Sequence, residues 1–330
     1  MFTQWQNKWL VLSTASVTTA NLQINTKTGG QWLVNWGDGN VDVVNSGVYK
    51  THTYSTAYVG NVLVKPQSGG LNNIDGFSTN VGSWNFDLSV FLKVPNMTYQ
   101  LYISGDSMAI SGNLSSVPSG LTNQLVFSGA LMTITGNLSS IPSGLTYRLI
   151  LSGNSMTISG NLSGVPSGLT NLLNISGDSM AISGNLSSVP SGLTYTVILS
   201  GNSMTISGNL SSVPSGLTYA VLLQGTLMNF TGDIKTSAPL ATYYYYYTPL
   251  STISYTSGRV WKNMTNVTFA LASSHLTVTE VNNMLVDLDA SPLVTGAGTI
   301  DLRGNNATPT GAGLTAKSSL IAKGKTVYTN

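Results

Sequence analysis

LSGNSMTISGNLSSVPSGLTY, Leu199–Tyr219, decides the fold, because the chain has already written it almost verbatim from Leu151 to Asn171. Looser copies begin at Ile103, Phe127 and Ile175. The triplet Gly-Asn-Leu places its glycine at 112, 136, 160, 184 and 208, and Gly232-Asp233-Ile234 follows at the same step of 24. Pro118, Pro142, Pro166, Pro190 and Pro214 keep that step. A fixed period of this size predicts a solenoid, in which each turn buries its apolar side chains against its neighbours.

Within one turn, Leu145 to Gly168, the apolar members are Leu145, Leu149, Leu151, Met156, Ile158, Leu162 and Val165. Seven side chains do not offset the ordering of a whole turn, so a lone copy is not expected to fold. Met108, Met132, Met156, Met180, Met204 and Met228 predict one internal column. Leu101, Leu125, Leu149, Leu173, Val197 and Val221 predict another. The Leu-x-Leu alternation has period two and marks a short strand. Gly153, Gly160 and Pro166-Ser167-Gly168 then turn the chain. The run Tyr243–Tyr247 falls in phase with Tyr219–Leu223, which predicts Tyr245 and Tyr247 inward and Tyr243, Tyr244 and Tyr246 outward. Phe269 and Leu271 take the inward places one period later.

Only 7% of the 330 residues are charged, against about 25% in an ordinary soluble domain, and the net charge is +2. Without clustered Lys and Arg, nucleic acid is not an expected partner. No window approaches eighteen apolar residues, so membrane insertion is not expected. The chain has no cysteine, which removes disulfides and thiolate chemistry. The start MFTQWQNKWLVLSTASVTTA superficially imitates an export leader. Its apolar run is short and interrupted by Ser13 and Thr14, so a first strand is expected there and no signal peptide.

Catalysis needs titratable groups brought together. Between Leu101 and Gly232 the charged residues are Asp106, Arg148 and Asp178 alone. Three stacked turns put Asp106 and Asp178 about 14–15 Å apart, beyond the roughly 5–9.5 Å of a glycosidase pair. His52 and His275 belong to different end regions. The expectation is a protein that is not an enzyme and carries no cofactor, metal or catalytic residue. Asp38 and Asp42 are expected to accept turn hydrogen bonds rather than to ligate a cation.

Binding is the better expectation. The middle residue of each Leu-x-Leu faces outward, giving Tyr102, Val126, Ile150, Asn174, Ile198, Leu222 and Tyr246. Beside them runs Tyr99, Asn123, Tyr147, Asn171, Tyr195, Tyr219 and Tyr243. A contiguous exposed apolar stripe usually meets a partner, and tyrosine suits protein or sugar contacts. The stripe fits two uses equally: packing against a sister subunit, or holding a target.

Leu145 to Met156 reads Leu-x-x-x-Leu-x-Leu-x-x-Asn-x-Met and resembles a leucine-rich repeat with one extra residue early. Ile-Ser-Gly-Asn-Leu-Ser-Ser-Val-Pro resembles the Gly-x-Ile-Pro ending of 24-residue members of that family. There the Asn column ties successive turns together; here it reads Asp106, Ala130, Asn154, Asp178, Asn202 and Thr226. Trp36-Gly37-Asp38-Gly39, His52-Thr53-Tyr54 and Gly60 to Val64 resemble a PKD-type β-sandwich, although Trp36 adjoins Gly37 directly and Asn61-Val62 stands where an aromatic is usual. Asp38-Gly39 favours a hairpin turn.

Thr277-x-x-Glu280 reads as a capping box before Val281, Met284, Leu285 and Leu288 at helical spacing. A strand at Thr299–Leu302, a helix from near Pro309 to about Ala322 and a strand at Thr326–Tyr328 complete a helical cap of leucine-rich type. The expected fold is mainly β, with a PKD-like β-sandwich at 1–75, a leucine-rich-repeat-like solenoid at 76–272 and a C-terminal α/β cap at 273–330.

This order of parts resembles leucine-rich proteins of tailed-phage virions and prophages. The resemblance implies a non-enzymatic virion structural protein, of tail-fibre, spike or head-attached type, assembled in the host cytoplasm and used for host-surface recognition or adhesion. It also implies other virion proteins as partners, a homo-oligomer, and a host surface glycan or protein as ligand. Two other readings stand beside it: a purely structural decoration or scaffolding protein of the virion, and a bacterial cell-surface adhesin.

Overall fold

The computed structural model describes residues 8–237, 241–261, 268–292 and 294–330. The leader-like start therefore lies partly outside the described residues. The chain is mainly β and forms two compact units, one up to Gly160 and one from Asn161, each built from its own strands.

The first unit contains β1 (Leu10–Thr26), β2 (Gln31–Asn35), β3 (Val41–Asn45), β4 (Tyr49–Pro66), β5 (Ile74–Thr79), β6 (Gln100–Ser104), β7 (Ser111–Asn113), β8 (Gln124–Ser128), β9 (Thr133–Asn137), β10 (Arg148–Ser152) and β11 (Thr157–Asn161). One sheet runs β3-β2-β4-β1-β5-β6-β8-β10, and a second runs β7-β9-β11. The pairings from β3 to β5 are antiparallel. β5 then pairs parallel with β6, and every later pairing in this unit is parallel. Pairing thus changes from antiparallel to parallel at β5.

The long strands β1 and β4 lose register between Thr14 and Thr19, where Ser16 takes φ 51°. Such a bulge bends both strands. Trp36, just after β2, stacks on His52 of β4 with ring centroids 4.9 Å apart. Trp32, Val34, Trp36, Val62 and Val64 are fully buried. Asp38 makes the hairpin turn: its carboxylate accepts from Asn40 N at 3.1 Å and bonds His52 Nε2 at 2.8 Å. Burial works to raise the Asp38 pKa, but the bonds from Asn40 and His52 outweigh it and hold the carboxyl below its ordinary value. Asp42 is taken up by Lys50 at 2.9 Å and Trp36 Nε1 at 2.9 Å.

One turn of the first unit shows how the repeat works. Leu125 and Phe127 of β8 point inward, Met132 and Ile134 follow on the way into β9, and all four are fully buried. Asn137 then caps a single 3-10 turn, Leu138–Ser140, by accepting from Ser139 N at 2.9 Å. Leu138, Ile141 and Leu145 close the interior before β10 begins. Met108, Met132 and Met156 in this unit, and Met180, Met204 and Met228 in the other, are all at 0% exposure. Each unit thus buries three methionines, as the inward column expected from the sequence requires.

The second unit contains β12 (Leu172–Ser176), β13 (Ala181–Asn185), β14 (Thr196–Ser200), β15 (Thr205–Asn209), β16 (Ala220–Gln224), β17 (Asn229–Asp233), β18 (Tyr243–Tyr247), β19 (Thr252–Ser254), β20 (Phe269–Ala272), α1 (Val278–Ala290), β21 (Thr299–Leu302), α2 (Gly311–Ala322) and β22 (Thr326–Thr329). Its main sheet runs β12-β14-β16-β18-β20-β21-β22 and its second sheet β13-β15-β17-β19. The pairings resolved in both are parallel.

One expectation needs correction. The Tyr run sits one residue off the expected register: Val221 pairs with Tyr244 and Leu223 with Tyr246, a step of 23. Tyr244 and Tyr246 are the buried pair, Tyr243 and Tyr245 are half-buried, and Tyr247 is exposed. Five identical residues carry no alternation of their own, so partners for the buried hydroxyls set the parity. Tyr244 Oη meets the Arg259 guanidinium, and Tyr246 Oη lies 3.3 Å from Ser237 Oγ. Tyr244 also packs edge-on against Trp261 and Phe269. The next step is 25, Tyr244 to Phe269, which restores the phase and puts Phe269 and Leu271 inward as expected.

The column Asp106, Ala130, Asn154, Asp178, Asn202 and Thr226 is exposed and is tied between turns only in part: Asn202 Nδ2 donates to Asp178 Oδ1 at 3.1 Å, and Thr226 Oγ1 donates to Asn202 O at 3.4 Å. The asparagine of the Gly-Asn-Leu triplet takes a second structural role, not expected from the sequence. Asn113, Asn137, Asn161, Asn185 and Asn209 each cap a 3-10 turn, and Asp233 does so in the last. The glycine one turn later sits against that cap with positive φ; at Gly208 (φ 130°) a Cβ would lie 2.7 Å from Asn185 Oδ1.

The C-terminal cap follows its sequence signals. Thr277 and Glu280 form the capping box, and Val281, Met284, Leu285 and Leu288 are the buried face of α1. The buried amide of Asn306 accepts from Ser274 N and Leu276 N and donates to Leu271 O and Leu302 O. Among the described residues no helix is long and apolar enough to cross a membrane.

Candidate interaction face

In each turn the residues on either side of the buried pair point away from the interior. In the first unit these outward rows are not uniformly apolar. Along one row Gln100 Nε2 donates to Ser78 Oγ at 2.6 Å, Gln124 Nε2 donates to Gln100 Oε1, and Arg148 Nε donates to Gln124 Oε1. Gln100 and Gln124 are buried. Arg148 starts on β10, yet its guanidinium reaches to 5.5 Å from the Tyr102 ring on β6. It must therefore lie across β8. That is why Val126, expected on the exposed stripe, is only 1% exposed. Tyr102 and Ile150 on either side are half-buried.

The flanking column of this unit is more open. Tyr99 and Tyr147 are 40% and 44% exposed. Asn123 stands between them, bound to both through the backbone: its N–H donates to Tyr99 O at 3.1 Å, and its own carbonyl accepts from Tyr147 N at 3.0 Å. The Asn123 side-chain oxygen is buried and accepts no hydrogen bond. Tyr147 faces the Arg148 guanidinium from 5.7 Å.

In the second unit the same column reads Asn171, Tyr195, Tyr219 and Tyr243. Tyr195 and Tyr219 stack with centroids 4.9 Å apart and planes within 8°. Both are exposed, at 41% and 51%, whereas Tyr243 is half-buried and burial raises its pKa. Asn174, Ile198 and Leu222 form the half-buried outward row. Tyr245, not Tyr246, continues it, because of the register at the Tyr run. Tyr246 is removed from the candidate face: it is fully buried, and burial pushes its hydroxyl well above the usual tyrosine range. No charged side chain stands in these rows from Asn171 to Tyr247.

The sequence reading missed the Gln100–Gln124–Arg148 ladder. Its signal was the polar residue before each inward pair, Gln100, Gln124 and Arg148. It also missed the gap at Asn123, although the alternation Tyr99, Asn123, Tyr147 was visible. Among the described residues no three His, Cys, Asp or Glu side chains gather as a metal site would require. On the other side of the turns, Thr133, Thr135, Thr157 and Ser159 are exposed in the first unit, and Ala181, Thr205 and Ser207 are exposed and Ser183 half-buried in the second. No family model matches this chain, and no curated protein is similar to it.

Proposed function

We propose that the chain is a non-enzymatic structural protein of a phage-type virion, a tail fibre, spike or head-attached fibre, whose stacked turns display a surface for recognising the host. In this reading residues 1–75 are a PKD-like sandwich, the turns are leucine-rich-like, and residues 273–330 close the end. The single observation that carries it is the exposed, stacked pair Tyr195 and Tyr219 of the second unit, on rungs fixed from below by fully buried methionine and leucine, with Tyr99 and Tyr147 exposed in the same way within the first unit. Broad aromatic side chains held at rung spacing give contact area at little cost in side-chain entropy.

The test is binding of the intact chain to host cells and to arrays of surface glycans. Retention that falls when Tyr195 and Tyr219 are both changed to Ser supports the reading. Retention unaffected by that change, or no retention on any host surface, overturns it and leaves the structural role.

A further inference from the structure

The tyrosine column of the second unit shows what two neighbouring rungs do when both carry a ring: Tyr195 and Tyr219 stack at 4.9 Å. In the first unit the middle member is Asn123, so Tyr99 and Tyr147 stand two rungs apart. At about 4.8 Å per rung that is roughly 9.5 Å, twice the spacing of one ring on another. The smaller Asn123 leaves a notch about one ring thick between the two tyrosines.

Beside the notch lies Arg148. Its Nε is held by Gln124, and its guanidinium sits 5.5 Å from the Tyr102 ring and 5.7 Å from the Tyr147 ring. The ion pairs formed among the described residues join Lys50 to Asp42, His52 to Asp38, Arg303 to Asp301 and Lys323 to Asp289. Arg148 has no carboxylate partner, and its two terminal nitrogens find no acceptor among the described residues. An orientated guanidinium with both ends of its fork free is a receptor for a planar, bidentate anion.

We infer that Tyr99, Asn123, Tyr147 and Arg148 form a binding site for a carboxylated sugar. The pyranose ring enters between the two tyrosines above Asn123, and the carboxylate takes the Arg148 fork, with Gln124 and Tyr102 holding the guanidinium in place. The inference rests on the adhesive reading and gives its ligand a chemical class. A sugar is favoured over an acidic peptide because the notch offers two ring faces beside a single positive charge.

The experiment is titration of the full chain, by calorimetry or saturation-transfer NMR, with a glucuronic-acid oligosaccharide, its methyl ester, a neutral oligosaccharide of equal length and an oligoglutamate. The acid is expected to bind at least tenfold more tightly than the ester, the scale of one charge-assisted bidentate contact. R148Q should erase the difference between acid and ester. N123Y, which fills the gap with a third ring, should abolish binding of both, and an unchanged unfolding transition would show that it folds. Equal affinity for acid and ester, binding indifferent to N123Y, preference for oligoglutamate, or no binding of the acid at all overturns the site. If the chain nevertheless adheres to host cells through Tyr195 and Tyr219, the notch alone fails; if adhesion is lost as well, both readings fall.

Discussion

From Asn185 to Gly232 the seam between turns repeats the same glycine and the same cap, whereas the outward strand row changes at every rung, through Asn174, Ile198, Leu222 and Tyr245. The difference follows from what each position touches. A seam residue meets a copy of its neighbour one turn away, so a change there disturbs a contact on two rungs. Gly208 lies against Asn185, and Asn209 caps the turn that follows. An outward side chain is half in solvent and can vary at small cost. Uniformity marks where the stack is held, and variation marks where it is free to meet something else.

The strongest way to break this contrast is to put a methyl group into the seam. In Gly208→Ala the new Cβ would stand 2.7 Å from Asn185 Oδ1 and 3.0 Å from Leu186 N, at φ 130°. Strain at a glycine-only conformation and overpacking together give an expected loss of roughly 2–5 kcal/mol. Gly192→Ala is the control, because its Cβ meets nothing nearer than Leu169 O at 3.5 Å. That change should lie within about 1 kcal/mol of neutral, since alanine also narrows the unfolded ensemble. Urea unfolding of the full-length variants measures both. Equal losses would remove the seam from the account.

The face supplies the smaller counterpart. Tyr219→Ala removes one member of the stacked pair, whose mutual contact is worth about 0.5–1.5 kcal/mol. Tyr219 is 51% exposed, so little burial is lost with it. The unfolding midpoint should move far less than for Gly208→Ala. A loss as large as the seam's would mean that the exposed tyrosines are structural, and would weaken the case for a recognition surface.

The sequence made the stack readable because its period is long, regular and shared by two independent signals, the buried columns and the turn residues. The methionine column and the buried face of α1 followed from spacing alone. The Tyr run did not, because its parity was decided by Arg259 and Ser237, residues outside the run that accept or donate at its buried hydroxyls. The role of the triplet asparagine was also missed. A residue that caps its own turn and fills space against the next glycine leaves no periodic apolar mark. On the candidate face the tyrosines were legible as a column, since outward positions follow from strand alternation. The covering of Val126 was not, because it depends on Arg148 reaching across a neighbouring strand.

The finest test of the seam uses the rung where its cap is an acid. Asp87 accepts from Ser89 N at 2.8 Å and from Ser111 Oγ at 3.1 Å, and a Cβ at Gly112 would meet its Oδ2 at 2.8 Å. It therefore occupies the place that Asn113 and Asn137 hold on the following rungs. The Ser89 backbone N–H, above all, favours the ionised form and holds the Asp87 carboxyl below its ordinary value. A lowered folded pKa adds stability that is present above the unfolded value of about 3.9 and is lost as pH falls through the folded one. Asp87→Asn keeps an accepting oxygen for Ser89 but cannot titrate. Asp38, Asp42 and Asp301, whose carboxyls are also lowered, are unchanged in both proteins, so the difference between their stability curves isolates Asp87. Below about pH 4 the wild type should lose ground to Asp87→Asn, by an amount smaller than either effect above because the carboxylate is exposed. Parallel curves down to about pH 2 would mean that the cap works through shape alone, and that charge at the first rung adds nothing to the seam.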